Sequence, residues 1–326
     1  MTLGLKMLLI FALVLGGFIA LVQWRAYQRE MSANAAYPPI GQLLDIDGVT
    51  VHAKMQGNGP DLVLIHGASG NMRDFTLGMV DALTNRYRVI LFDRPGLGWT
   101  DVLPQNSGAW NSTAASPHEQ AALLQKAADQ LGVTSPVVLG HSYGGAVALA
   151  WALARPNQTS ALVLVSAVSE VWPGDLGWQY KLTGTTLGSG LLIPMITAFL
   201  PEKFVKASIA SIFAPQSAVE GYLTHIGTDL ALRRQSMRAN AQQVNSLLPH
   251  IKKMVPQYDR LTMPVEVVHG TADTIVPMSI HAEVLMTQLS DAKLTTLPGI
   301  GHMPQHVASS AVLDAIDSAT LRAGLR

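Results

Sequence analysis

A serine hydroxyl attacks carbon well only when a base takes its proton and its backbone holds it clear of neighbours. The segment 136–145 reads PVVLGHSYGG and sets Ser142 between Gly140 and Gly144. An apolar run leads in and a helical pattern leads out. Glycine two positions to each side lets the chain turn sharply between strand and helix and lets a carbonyl carbon approach the hydroxyl. Ten histidines could supply the base. His302, in Pro298-Gly299-Ile300-Gly301-His302, follows the last predicted strand and precedes the last helix. Loops at the carboxyl ends of strands are where an open α/β sheet presents reactive groups. An imidazole in this role needs an orienting acid. Asp273 stands in the loop after the run 265–268, at the same predicted sheet edge. The chain order is therefore Ser142, Asp273, His302. A tetrahedral oxyanion would need donors. The tight turn His66-Gly67-Ala68-Ser69-Gly70 after the run 61–65 offers the Ala68 N–H, and Tyr143 offers a second. A phosphate loop is excluded at this turn, because no Gly-Lys-Ser/Thr follows and the glycine spacing is wrong.

These residues need a frame. Residues 43–47 and 49–55 flank Asp47-Gly48, a hairpin signal. Short apolar runs follow at 61–65, 88–92, 136–139, 161–165 and 265–268, as strands buried on both faces produce. Residues 293–297 read as a more exposed edge strand. Helical patterns lie between, at about 72–83, 116–131, 143–153, 278–289 and 305–321. Ser116 is the expected N-cap of its helix, with Pro117 next and Glu119 three residues on. Strand–helix alternation predicts an α/β fold with a mostly parallel, doubly wound sheet. The alternation stops between 170 and 260. That stretch is helical in character and holds Trp172, Trp178, Tyr180, Phe204, Phe213 and Tyr222. It reads as an inserted helical cap whose aromatics together imply an apolar acyl or alcohol pocket. The expected organisation is an anchor or signal at 1–24 and a linker at 25–41. A core follows at 42–169 and 261–326, with the cap at 170–260.

Residues 7–22 carry no charge, and the apolar stretch extends over 3–22 with Lys6 inside it. A bilayer core needs ~20 apolar residues in a helix, so a membrane contact through 3–22 is expected. Lys6 can snorkel and Trp24 suits an interface. A small-residue cleavage site at Ala33-Asn34-Ala35 lies far beyond the apolar run, which favours an uncleaved anchor over a signal. The expected place is a bacterial inner membrane with the rest of the chain on the periplasmic side; the alternative is a secreted or periplasmic chain after cleavage.

Composition narrows the chemistry. Lys+Arg and Asp+Glu are 22 each, so no net field attracts nucleic acid. Hydrophobic residues are 48% and charged residues 13%, which excludes a disordered chain. No cysteine is present, hence no disulfide and no thiolate nucleophile. No HExxH, paired-histidine or carboxylate cluster points to a metal, and no cofactor is expected.

The chain resembles the α/β-hydrolases, in particular the cap-bearing group related to bacterial esterases, epoxide hydrolases and haloalkane dehalogenases. The resemblance spans about 41–319 and rests on four motifs in order. They are His66-Gly67, the Asp93-Arg94-Pro95-Gly96-Leu97-Gly98 turn, the GHSYGG segment, and the loops of Asp273 and His302. Epoxide hydrolases and dehalogenases carry Asp at the nucleophile position, so Ser142 is similar to the esterase branch. Ala68-Ser69 also stands where epoxide hydrolases of this group often have an aromatic residue and then Pro. The family sometimes places its acid after strand six, where Glu170 stands, so that position remains a second candidate.

The expected activity is therefore hydrolysis of an apolar carboxylic ester through an acyl-enzyme. C–C or amide hydrolysis by the same three residues is an alternative. So is a non-enzymatic, membrane-tethered accessory role, since fold does not fix function. His141 is read as a hydrogen-bonding neighbour of Ser142 rather than a second base. His281 and His306 are read as surface residues on helices. The loop 101–115, with Trp110, is placed at the entrance.

Overall fold

In the computed structural model, which describes residues 2–174 and 176–325, eight strands form one sheet. They are β1 (Gln42–Ile46), β2 (Val49–Gln56), β3 (Asp61–Ile65), β4 (Arg88–Phe92), β5 (Val137–His141), β6 (Ala161–Val165), β7 (Val265–Gly270) and β8 (Ala292–Leu297). Their spatial order is β1-β2-β4-β3-β5-β6-β7-β8. β1 and β2 pair antiparallel, as do β2 and β4, and every later pair is parallel. The β1–β2 turn has Asp47 and Gly48 both at positive φ, the geometry that an Asp-Gly hairpin favours. β5 and β6 are buried at every residue, whereas β8 alternates and leaves one face wet, as expected of an edge strand. One apolar cluster fills each face of the sheet.

The principal helices are α1 (Leu3–Ala36), α2 (Arg73–Thr76), α3 (Pro117–Gln130), α4 (Tyr143–Ala154), α5 (Trp178–Thr183), α6 (Ile193–Phe199), α7 (Glu202–Phe213), α8 (Tyr222–Ile226), α9 (Arg234–Met254), α10 (Pro304–Val307) and α11 (Ser309–Arg322). α3 begins with the expected capping box: Ser116 Oγ accepts from the Glu119 N–H, and Glu119 Oε2 accepts from the Ser116 N–H. Two expected helices are broken. The pattern at 72–83 splits at Gly78, whose φ is +87°. The one at 305–321 splits at Ala308, whose extended φ of −142° no helix accommodates. Only Ala282–Leu285 of the pattern 278–289 is helical. Between β6 and β7 the described residues form helices and connecting loops, with no strand among them. Residues 1, 175 and 326, which fall within the expected anchor, cap and core, lie outside the described residues.

α1 differs from expectation. It is long and apolar enough to cross a membrane, and residues 3–21 are all exposed. It does not stop at a linker. The helix runs through Ala33, Ala35 and Ala36, because alanine is the best helix former and Ala33 is buried against the protein. It ends just before Pro38, whose ring disfavours helix in the preceding residue. The second half is docked. Val22 and Ala26 pack on Ala198 of α6. The Arg25 guanidinium lies 5.0 Å from the Phe199 ring centroid. Glu30 takes three hydrogen bonds from Arg234, at 2.6–2.8 Å. Arg233 donates to Asn34 Oδ1 at 3.0 Å, and Trp99 Nε1 donates to the Tyr37 carbonyl at 2.9 Å.

Removing this half strips apolar cover from Ala198 and leaves the half-buried Arg234 unpaired. A chain beginning at Tyr37 should therefore melt at least about 3 °C below one beginning at Leu21. Equal melting temperatures by calorimetry would show that 22–36 is a spacer.

Candidate active site

The parallel strands all end at one edge, so the loops after β3, β5, β7 and β8 share it. β5 passes directly into α4 through Ser142, whose backbone sits at φ 53°, ψ −120°. That conformation is costly for a residue with a side chain, and it survives only because the surroundings fix it. The flanking glycines have separate reasons. A β-carbon on Gly140 would collide with the Gly144 carbonyl, and one on Gly144 with the Ile65 carbonyl at the end of β3. The bend therefore brings the first turn of α4 against its own strand and the neighbouring one.

Ser142 Oγ lies 2.9 Å from His302 Nε2 and can donate to it. His302 Nδ1 donates to Asp273 Oδ2 at 2.7 Å. All three residues are buried, Ser142 being 8% exposed. Asp273 Oδ1 also accepts the N–H groups of Ile275 and Val276, each at 2.9 Å. His269 Nε2 stands 3.4 Å from Oδ2. Burial alone would raise the Asp273 pKa, but the histidines and backbone donors outweigh it and hold the carboxyl well below its ordinary value. It is thus an anion at any pH where His302 needs an orienting partner.

The turn after β3 lies against this row. A β-carbon on Gly67 would come within 3.1 Å of both Ser142 Cβ and His141 Nδ1. The Tyr143 N–H opens α4, where helix geometry supplies no acceptor. Among the described residues neither it nor the Ala68 N–H has a protein acceptor. One side chain that the sequence reading passed over holds the turn of Ala68 and packs on the Tyr143 ring. Arg94 is fully buried. Its Nε donates to the His66 carbonyl and a terminal nitrogen to the Gly67 carbonyl, both at 2.9 Å. The other terminal nitrogen donates to Gln120 and Gln243 at 2.9 and 2.8 Å. The guanidinium stacks 4.3 Å from the Tyr143 ring centroid. Burial lowers its pKa to about 10, so it stays charged, and the Tyr143 hydroxyl is pushed up to about 12 by burial and stays neutral. The motif Asp93-Arg94-Pro95-Gly96 marked the place, but nothing in its spacing told that the guanidinium turns inward. Ser69 is held from the insertion, its N–H donating to Asn240 Oδ1 at 2.6 Å.

His141 donates from Nε2 to the His302 carbonyl at 3.0 Å, and its ring lies 5.1 Å from that of His302. Burial, with the neighbouring His302, lowers its pKa to about 4, so it is a neutral support for the His302 loop. The same loop is clamped from the insertion: Gln216 accepts from the Gly301 N–H at 2.9 Å and donates to the Gly299 carbonyl at 2.8 Å.

Three expectations need correction. His281 and His306 are buried rather than on the surface. His281 Nδ1 accepts from the Ser169 and Glu170 N–H groups in the loop after β6, and His306 Nε2 donates to the buried Asp74 of α2 at 2.9 Å, so each satisfies buried polar groups. Trp178 and Phe204 do not line an interior pocket; they are 75% and 52% exposed, since the insertion turns those helix faces outward. Glu170 makes no hydrogen bond to His302. It is buried and accepts from Gln288 at 3.2 Å, and burial pushes its carboxyl up to about 7. Trp110 packs over Gly190 of the insertion. Among the described residues no three His, Asp or Glu side chains converge as a metal ion requires.

The model of the alpha/beta hydrolase family matches residues 62–315, more than half of the chain. A pimeloyl acyl-carrier-protein methyl ester esterase of Nitrosomonas europaea is 28% identical over 257 residues, covering 78% of this chain and 93% of that one. The crystal structure of a bacterial membrane phospholipase A superposes with a TM-score of 0.64 at 20% identity, covering 97% of each chain. An esterase of Rhodococcus sp. ECU1013 superposes with a TM-score of 0.64 at 22% identity, over 86% of this chain and 98% of that one.

Glu170 gives a pH test. Its ordinary pKa is 4.5 and its folded value about 7. At pH 4 it is protonated folded and unfolded alike. As pH rises from about 4.5 through 7 the unfolded form ionises first, so the native protein loses stability, and the loss is constant above. Glu170→Gln should match the parent at pH 4 and melt about 2–4 °C higher at pH 8. A melting difference that does not change with pH would contradict this.

Proposed function

The chain belongs to the alpha/beta hydrolase family, and from that premise we propose that it cleaves an apolar carboxylic ester through an acyl-enzyme on Ser142. It is an enzyme of hydrolase type. The observation that supports nucleophilic catalysis by Ser142 is the unbroken row Ser142 Oγ, His302 Nε2, His302 Nδ1, Asp273 Oδ2, with links of 2.9 and 2.7 Å.

In the proposed reaction Ser142 Oγ bonds to the acyl carbon while its proton passes to His302 Nε2. The carbonyl π pair moves onto oxygen, and the N–H groups of Ala68 and Tyr143 receive that charge. Such donors are worth roughly 3–4 kcal/mol each to the transition state. The Asp273 carboxylate steadies the imidazolium. When the C=O bond reforms, the C–O bond to the alcohol breaks, and the alcohol leaves with the proton from His302. Water then gives its proton to His302 and attacks the acyl carbon. Release of Ser142 Oγ with that proton yields the acid and restores the enzyme. Serine suits a trigonal acyl carbon, whose π pair can move onto oxygen as the new bond forms, so no carboxylate nucleophile is needed. The helices between β6 and β7 act as a cap over the site, and α1 acts as a membrane anchor. The related methyl ester esterase, 28% identical, supports an ester as the bond cleaved.

Ser142→Ala should abolish covalent labelling by a fluorophosphonate probe with the melting temperature kept. Labelling that persists on another residue would refute the assignment. Arg94 acts through the turn it holds rather than on substrate. Arg94→Met should lower kcat for p-nitrophenyl butyrate roughly 10²-fold, with KM within about twofold. It should also weaken an alkyl boronate, which mimics the tetrahedral state, by a similar factor. Boronate affinity unchanged in the folded variant would reduce Arg94 to a structural residue.

A further inference from the structure

The helical run 186–199 exposes the side that a surface helix ordinarily buries. Leu187, Leu191, Met195 and Phe199 recur at every fourth residue and are 68%, 55%, 41% and 40% exposed. The buried side carries Ser189, Thr197 and Ala198 beside Ile193 and Pro194. Large apolar groups thus face out while small and polar ones face in, the reverse of the usual amphipathic helix. Trp178 on the preceding helix and Phe204 on the following one are exposed as well. A contiguous face of this kind marks a partner.

The position of α1 identifies the partner. Residues 3–21 are exposed, and burial begins at Val22. At 1.5 Å per residue, 3–22 spans about 30 Å, the thickness of a bilayer's hydrocarbon core. The bilayer is therefore used up where Val22 and Ala26 meet Ala198, one residue from the end of the exposed stripe. Arg25 stacks on Phe199 at that junction. Lys203 and Lys206 stand exposed on the next helix, with stems long enough to reach headgroup phosphates.

We propose that the stripe Leu187, Leu191, Met195 and Phe199, with Trp178 and Phe204, lies in the surface of the bilayer that α1 crosses. The insertion is then a second, monotopic membrane contact. It is also bonded to the His302 loop through Gln216 and to the Ser69 turn through Asn240. On that placement the substrate is an ester whose acyl chain is already dissolved in the bilayer. This last clause rests on the ester hydrolase reading; the membrane contact rests only on α1 as a membrane helix.

The chain has no cysteine, so Leu187→Cys or Leu191→Cys carries a single environment-sensitive fluorophore. Thr134→Cys, exposed before the amino end of β5 at the opposite edge of the sheet, is the control. The full chain is placed in vesicles of phosphatidylethanolamine and phosphatidylglycerol. Labels at 187 and 191 should shift to the blue and be quenched by lipids bearing a shallow spin label, and the label at 134 should not. Quenching equal to the control overturns the proposal. A blue shift without lipid quenching places a second copy of the chain on the stripe and overturns it equally. With both leucines changed to glutamate, turnover of a long-chain ester held in vesicles should fall roughly tenfold, while soluble p-nitrophenyl acetate is cleaved as before. Unchanged vesicle turnover would contradict the account. A parent chain inert to both esters would defeat the hydrolase reading alone, because the lipid quenching needs no activity.

Discussion

His302 is hydrogen-bonded at both ring nitrogens, and that pair of hydrogen bonds depends on three loops separated by up to 160 residues reaching one point. The parallel order of β5, β6, β7 and β8 makes this possible. Each strand delivers its carboxyl end to the same edge, at the roughly 5 Å strand spacing. Asp273 follows β7, next to β8, whereas Ser142 follows β5, three strands from β8, so the loop of His302 must reach back along that edge to meet it. The strained Ser142 backbone is the local cost, and the close approach of α4 to β3 and β5 keeps it fixed. Gly140 and Gly144 are what permit that approach.

The helices between β6 and β7 are fastened into this arrangement. Gln216 bonds both sides of the glycine pair before His302, and Asn240 bonds the turn beside Ala68. Tyr222 donates to the buried Asp74 at 2.8 Å, and His306 meets the same carboxylate. α1 is bonded in turn to α6 and α9 through Val22, Ala26 and Glu30. A mechanical path therefore runs from the apolar amino-terminal helix, through the insertion, to the groups around Ser142. Such a path lets the position of the chain in a membrane bear on the site, within the functional reading proposed above.

Much of this was legible before any coordinates. Alternation of short β-branched runs with helical patterns gave the parallel sheet, because strands buried on both faces leave a continuous apolar signature. Ser116 and Glu119 announced the start of α3, and Asp47-Gly48 the hairpin, because caps and tight turns are decided locally. The convergence of Ser142, Asp273 and His302 was legible because each lies just beyond a strand, where local pattern already fixes direction. What was not legible depends on distant neighbours. Arg94 looked like a turn residue, and only the folded chain shows its charge turned inward on two carbonyls and an aromatic ring. The alanines at 33, 35 and 36 read as linker because no sequence window contains α6, against which that half of α1 docks. Trp178 and Phe204 read as interior because hydrophobicity alone carries no direction.

The central claim is that acyl transfer runs through one hydroxyl. Rapid acid quench of the full-length protein during turnover of a p-nitrophenyl ester, followed by peptide mass mapping, tests it most directly. An added acyl mass on the peptide that contains Ser142, forming at the rate of the nitrophenol burst, is the predicted result. Steady turnover with no burst and no adduct, or an adduct on another peptide, would contradict the account.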